Sequence, residues 1–336
     1  MNPIKTEMKK QETETVANNG EISLGLTNKD VLSMQDLSLQ EIELILTTSD
    51  SFKQVLSRPI KKVPTLRGKS VVGLFYEPST RTRTSFELAG KFLSADTTSI
   101  IANTSSIVKG ESLKDTIKTL EALGTDVLVM RHPSSGAAQF ASKITKMPVI
   151  NAGDGFHEHP TQCLVDLFTI REKKGSLRGL NVLIVGDIAF SRVARSDIYG
   201  LEKMGAHVTL CGPTTLLPKE VQNFPCKITT DLDSALPAQD VVIMLRLQME
   251  RQKDNYFPSL REYTELYGLT CERLSCAKED VLVMHPGPIN RGIEIMPDVA
   301  EGMHSAIEAQ VTNGIAIRMA LLYLLCAHDK NKEEET

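Results

Sequence analysis

Short runs of aliphatic and β-branched residues recur along this chain, each followed by a longer stretch with helical spacing. The runs are Ser70–Tyr76 (SVVGLFY), Asp126–Met130 (DVLVM), Pro148–Asn151, Asn181–Val185 (NVLIV), His207–Cys211, Asp240–Leu245 (DVVIML) and Val281–Met284. They are continuous rather than alternating, as in parallel strands covered on both faces. Between them, Ser112–Leu123 carries Leu113, Ile117 and Leu120 on one helical stripe, with Ser112 as an N-cap three residues before Asp115. Thr161–Lys174 and Glu308–Cys326 have the same period, and the second ends largely apolar, as a buried helix does. Alternating β and α segments specify an α/β fold. The 336 residues exceed one small core, and the strands fall into two sets, about 70–150 and 181–285. The expectation is two doubly wound domains with mainly parallel sheets and a cleft between them.

Ligands of such folds bind at the carboxyl ends of the strands, and the polar clusters fall there: Glu77–Thr84, Arg131-His132, Asn151–Gln162, Gly186–Arg195, Arg246–Arg251 and His285–Arg291. In the first, a strand stops at Pro78 and a helix follows with Phe86, Ala89 and Phe92 or Leu93 on one face. Ser79-Thr80-Arg81-Thr82-Arg83 therefore sets hydroxyls, backbone N–H groups and an arginine fork at the positive end of a helix, an anion site. Taken alone, the segment also reads as a Ser/Thr cap with two solvated arginines. It is not a Walker loop, and Val185-Gly186-Asp187 lacks the glycine fingerprint of a dinucleotide site. Lys109, in a polar loop that includes Ser105, is either a mobile cation or a solvated lysine. His157, Glu158 and His159 lack the spacing of a helical zinc pair, so no metal is expected.

The net charge of −4 excludes a general basic surface for nucleic acid or membrane, so arginines that matter act inside a site. The six cysteines show no metal or redox spacing and read as free thiols of a reducing, cytoplasmic compartment. No apolar run approaches a membrane span. Residues 1–25 read as a polar, disordered tail without a secretory core, and Lys330–Thr336 as a frayed end.

Taken together, Ser79-Thr80-Arg81-Thr82-Arg83 after a strand and His159-Pro160-Thr161-Gln162 downstream resemble the carbamoyl phosphate site of the aspartate/ornithine carbamoyltransferase family. The likeness runs from about Leu32 to about Leu325. Lys109-Gly110-Glu111-Ser112-Leu113, Arg246–Arg251 and His285-Pro286-Gly287-Pro288 resemble the aspartate branch; the ornithine branch would carry His-Cys-Leu-Pro at the last. The resemblance implies a carbamoyl phosphate domain over 26–158 plus 305–330 and an aspartate domain over 159–304. It implies that Ser79, Thr80, Arg81 and Thr82 hold phosphate and that Thr82, Arg131 and His159 contact the carbonyl oxygen. Gln162 and the backbone carbonyls of Pro286 and Gly287 would hold the carbamoyl amino group; Gly287 stands where several relatives carry a larger side chain. Arg192, Arg246 and Gln248 would bind aspartate, joined by Lys109, which with Ser105 would enter from a neighbouring subunit of a homotrimer. Glu77 would pair with Arg192 and Arg251 in the closed cleft. No cofactor is implied. A regulatory chain or a dihydroorotase-type partner is left open, as are another acceptor such as ornithine and a catalytically silent structural member of an assembly.

Overall fold

The apolar runs assemble into two separate sheets in the computed structural model, which describes residues 26–101, 110–219, 221–248 and 259–333, the last seven by backbone alone. The first sheet holds β1 (Ser70–Phe75), β2 (Asp96–Ile101), β3 (Val127–His132) and β4 (Val149–Asp154), in the order β2-β1-β3-β4. The second holds β5 (Asn181–Val185), β6 (His207–Cys211), β7 (Lys227–Thr229), β8 (Val241–Met244) and β9 (Leu282–Met284), in the order β7-β6-β5-β8-β9. Every strand pair in both is parallel. The expected doubly wound α/β architecture is therefore the one found. In each sheet the chain winds outward on one side of its first strand and then returns to the other. The two points of reversal, at β1/β3 and β5/β8, are where such sheets open a crevice.

The helices are α1 (Leu39–Leu56), α2 (Thr80–Phe92), α3 (Leu113–Ala122), α4 (Ala137–Ile144), α5 (Pro160–Lys174), α6 (Arg192–Lys203), α7 (Leu232–Ala235), α8 (Leu260–Tyr267), α9 (Cys271–Leu274), α10 (Pro297–Ala300) and α11 (Ile307–Glu333). Local chemistry sets their starts. Ser38 and Glu41 close a reciprocal capping box on α1, and Ser112 accepts from the Asp115 N–H at 3.2 Å. Helix α5 packs against β4, α1, α6, α11 and β9, and so joins the two sheets. One continuous apolar core runs from Val71 and Val127 in the first sheet to Val182, Ile184 and Val241 in the second.

Helix α11 belongs to the first half of the molecule although it follows the second. It packs on α1, α2 and α5, with Ile317, Met319, Ala320, Leu321, Leu322 and Leu325 fully buried. Contrary to the sequence reading, Ile307–Cys326 is apolar and long enough by composition to cross a membrane; here it is a core helix, 72% buried. Its backbone also runs on to Glu333, where a frayed end was expected. Two strands escaped the sequence pattern. β2 and β7 are sheet edges with mixed exposure, and β7 has three residues, so neither needs a continuous apolar run. No disulfide joins the six cysteines among the described residues.

Candidate active site

At the carboxyl end of β1 the chain turns through Glu77 and Pro78 into α2. Ser79 is the N-cap of α2, yet its side chain makes no cap bond, whereas Ser38, Ser112, Ser191 and Ser259 cap theirs. No acidic residue lies in the first turn, so the positive helix end is not neutralised locally. Thr82 is buried beneath it. The two arginines diverge. Arg83 turns back toward Glu87, 3.8 Å away, as a surface pair. Arg81 reaches across the cleft to the turn after β9, where even a methyl group on Gly287 would overlap its guanidinium. Gly287 also has φ +66°, which disfavours any side chain. Partial desolvation of the Arg81 guanidinium against the far wall, followed by the like charge of Arg246, holds Arg81 below the ordinary arginine value. Two cations thus face each other across a space that an anion would relieve.

Glu77 gathers a second pair. Its Oε2 accepts from Arg131 Nε at 3.3 Å and from Arg192 Nη2 at 2.7 Å. Arg131 lies within β3, level with Phe75 of β1, just before the β3–β4 register slips between Met130 and His132. Arg192, the first residue of α6, is 3% exposed and also donates to the Gly155 carbonyl at 3.4 Å. Its guanidinium lies on Gly153, whose φ is +113° and whose added Cβ would come 2.8 Å from Nε. Gly153→Ala is therefore expected to cost about 2 kcal/mol, from backbone strain plus the displaced guanidinium. Urea unfolding should resolve it, and a midpoint shift equal to that of Gly175→Ala, a positive-φ site with open space, would assign the whole loss to backbone.

The third wall comes from α5 and the turn after β9. His159 is the N-cap of α5, 5% exposed; its N–H donates to Ser196 Oγ at 2.8 Å, and its Nδ1 lies 3.3 Å from Thr161 Oγ1. Gln162, one helical step on, donates from Nε2 to Asp166 at 3.0 Å. Opposite, the Gly287 N–H donates to His285 Nδ1 at 2.8 Å, so the ring proton sits on Nε2, 3.2 Å from Glu294 Oε1. The ring and Glu294, fully buried, fix the Pro286-Gly287-Pro288 turn. On the second domain, Asp187 is buried in the Gly-Asp turn after β5 and accepts from the N–H groups of Phe190 and Gln248, each at 3.1 Å. Arg246 Nε lies 3.4 Å from Asn290 Oδ1. With Leu247 buried between them, Arg246 and Gln248 are both half-exposed, as an extended segment requires.

Glu77, Ser79, Thr80, Arg81, Thr82, Arg131, His159, Gln162, Arg192, Arg246, Gln248, Pro286 and Gly287 thus all stand at strand ends or the helix starts that follow, around the crevice. Ser105, Lys109 and Arg251 lie outside the described residues. Among the described residues Glu77 meets Arg131 as well as the expected Arg192. The sequence reading passed over Gly153, Asp187, Asn290 and Glu294, which hold the arginines and the turns. The positive φ of Gly153 has no sequence mark, whereas Asp187 was visible in the Gly-Asp dipeptide. His157 pairs with Asp154 at 3.2 Å, while Glu158 is buried and accepts from Met34 N–H and Ser196 Oγ; Asp154 is the larger cause that lifts His157 above the ordinary histidine value.

A crevice lined by Arg81, Arg131, Arg192 and Arg246, an open helix end and one bridging carboxylate suits a small, multiply charged anion. Residues 29–172 match the "Aspartate/ornithine carbamoyltransferase, carbamoyl-P binding domain", and residues 178–325 match the corresponding "Asp/Orn binding domain". The chain is 61% identical over 298 residues to the aspartate carbamoyltransferase catalytic subunit of Heliobacterium modesticaldum, covering 89% of this chain and 96% of the relative. It is 58% identical to that of Syntrophus aciditrophicus over 297 residues, 88% of this chain and 97% of the relative. Among solved structures it is similar to aspartate transcarbamoylase of Trypanosoma cruzi in complex with carbamoyl phosphate and aspartate, with a TM-score of 0.81 at 30% identity over 89% of this chain and 97% of that one. It is also similar to ornithine carbamoyltransferase of Pyrococcus furiosus, with a TM-score of 0.79 at 28% identity over 89% and 97% of the two chains. The likeness spans both domains and both halves of the crevice: the chain belongs to the aspartate/ornithine carbamoyltransferase family.

Proposed function

We propose that this chain is an aspartate carbamoyltransferase, converting carbamoyl phosphate and L-aspartate to N-carbamoyl-L-aspartate and phosphate, an early step of de novo pyrimidine biosynthesis. The observation that carries the reading is the open N-terminus of α2 with Arg81 laid across the cleft onto Gly287 and facing Arg246. The α2 N-terminus, Ser79, Thr80 and Arg81 take the phosphate. Thr82, Arg131 and His159 address the carbonyl oxygen, with Arg131 anchored through Nε on Glu77. Gln162 and the carbonyls of Pro286 and Gly287 hold the carbamoyl amino group. Arg192, Arg246 and Gln248 receive the two carboxylates of aspartate.

The neutral α-amine of aspartate attacks the carbamoyl carbon, and its N–C bond forms as the carbonyl oxygen gains charge. Donors preorganised around that oxygen, in a crevice with little water, supply the main stabilisation. The C–O bond to phosphate then breaks, the electron pair leaves with phosphate toward Arg81 and the helix end, and the amine proton passes to the departing phosphate. Orientation of two anions that repel each other in water supplies much of the rest. We further propose a cytoplasmic homotrimer in which Ser105 and Lys109 complete the neighbouring subunit's site.

Purified protein given carbamoyl phosphate with either aspartate or ornithine tests the acceptor. Aspartate is expected to be carbamoylated at least about a hundredfold faster, because a site built for two carboxylates leaves its arginines unmet by ornithine. Preference for ornithine would reject the assignment of Arg246 and Gln248, and no transfer to either amine would favour a structural member of an assembly. Solution mass, alone and with candidate regulatory or dihydroorotase-type partners, tests the trimer.

A further inference from the structure

Behind the carbamoyl wall lies a buried pair of carboxyl groups that the chemistry above leaves unused. Asp166 on α5 and Asp197 on α6 are 1% and 0% exposed and lie close enough for each carboxyl to feel the other's charge. One oxygen of Asp166, Oδ1, accepts from two glutamines: Gln162 Nε2 at 3.0 Å and Gln310 Nε2 at 2.7 Å. Gln310, on α11, then accepts through Oε1 from the His285 N–H at 3.0 Å. A single oxygen therefore anchors both Gln162 and the turn carrying Pro286 and Gly287, which face each other across the crevice and come from opposite halves of the chain.

Asp166 Oδ2 and both Asp197 oxygens find no N–H or O–H donor among the described residues. Two ionised carboxylates so placed would repel without compensation, so a proton shared between them is the donor that the geometry lacks. The remaining charge is balanced from α11, where Arg318 is buried and attracted to Asp166; its Nη1 donates to Ser85 of α2 at 3.1 Å and to the Gly314 carbonyl at 2.8 Å. The other ionisable groups facing the pair are the Cys163 thiol, packed on Asp197, and Glu158 beyond it.

We propose that the Asp166–Asp197 pair, holding one proton between them, is the positioning element that sets the two walls of the carbamoyl amide pocket against each other. It rests on the carbamoyl phosphate reading of that pocket. Neither residue touches substrate. Burial raises both carboxyls, and the mutual charge raises Asp197 further, so the pair titrates as a unit well above the ordinary aspartate value. The sign follows from linkage. The folded chain keeps protons that the unfolded chain has released, so the pair's contribution to stability falls as pH rises from about 4 through neutrality. Loss of the shared proton also sets the two side chains apart, moving Oδ1 and both glutamines with it.

Two substitutions divide the roles. Asp197→Asn installs an amide donor toward Asp166 that cannot dissociate, and Asp166→Asn removes the charged acceptor of both glutamines. For Asp197→Asn the melting temperature relative to wild type is expected to rise progressively between about pH 5 and pH 9, a readout that needs no substrate. Wild type is expected to show an alkaline increase in KM for carbamoyl phosphate, and Asp197→Asn to lack it. Asp166→Asn is expected to raise that KM about tenfold at every pH, with a smaller effect on KM for aspartate. If Asp197→Asn shows the same pH dependence of melting temperature as wild type, the shared proton is refuted even where Asp166→Asn fails to fold. A folded Asp166→Asn with wild-type KM for carbamoyl phosphate refutes the positioning role. Wild-type protein that bound no carbamoyl phosphate would instead strike the functional reading, and the melting series would still decide whether the proton is shared.

Discussion

Arg81→Ala is expected to lower kcat/KM for carbamoyl transfer by about two to three orders of magnitude, equivalent to ~3–4 kcal/mol of transition-state stabilisation. Arg81 is the charged group that closes over the open end of α2, and its guanidinium is held against Gly287 on the far wall. A leaving phosphate gains charge as the C–O bond breaks, so an interaction there strengthens along the reaction. The same variant is expected to keep its melting temperature or to raise it slightly, because the repulsion from Arg246 disappears. Activity and stability should therefore move apart. Steady-state kinetics beside thermal unfolding measures both, and turnover within about threefold of wild type would sink the phosphate assignment.

Glu77→Ala should act in the opposite way, through the fold first. It removes the carboxylate shared by Arg131 and Arg192, and Arg192 is 3% exposed. A guanidinium left in that position, with the Gly155 carbonyl its remaining partner among the described residues, is expected to cost about 3 kcal/mol. Glu77 is itself partly open to water, so the loss falls at the lower end of the range for buried pairs. The denaturant midpoint should drop at unchanged slope. A loss below about 1 kcal/mol would show that solvent, not Glu77, satisfies Arg192. Activity should also fall, since both arginines lose their aim.

The strands buried on both faces were legible because such burial requires unbroken apolar runs, as in Asn181–Val185 and Val241–Met244. Two of the four edges were not: β2 and β7 have mixed exposure and tolerate Thr, Ser and Lys, unlike the buried edges β4 and β9. Arg131 and Arg246 were placed at the crevice for a similar reason, since an arginine directly after a buried strand has few other places to be, whereas the roles of His159 and Arg192 came from the family resemblance. The residues that hold those groups were missed. Gly153 acts through a dihedral angle, and Glu294 acts through a histidine nine positions away whose tautomer depends on a backbone N–H. Glu77 was seen as a closure residue, but its link to Arg131 requires β1 and β3 to be neighbours with Phe75 level with Arg131, a register that no linear pattern expresses.

The return of α11 to the first half of the molecule has a consequence for synthesis. On the ribosome, the segment through Lys174 emerges early, but the surfaces of α1, α2 and α5 that α11 covers stay bare until everything through β9 has been made. Helix α2 is therefore braced only after the second sheet exists, and a nascent chain cannot settle its first core ahead of its second. During that interval Phe52, Phe86 and Leu164 would be open to chaperones, and a ribosome that stalls before Ile307 would release a chain with both halves translated and neither finished.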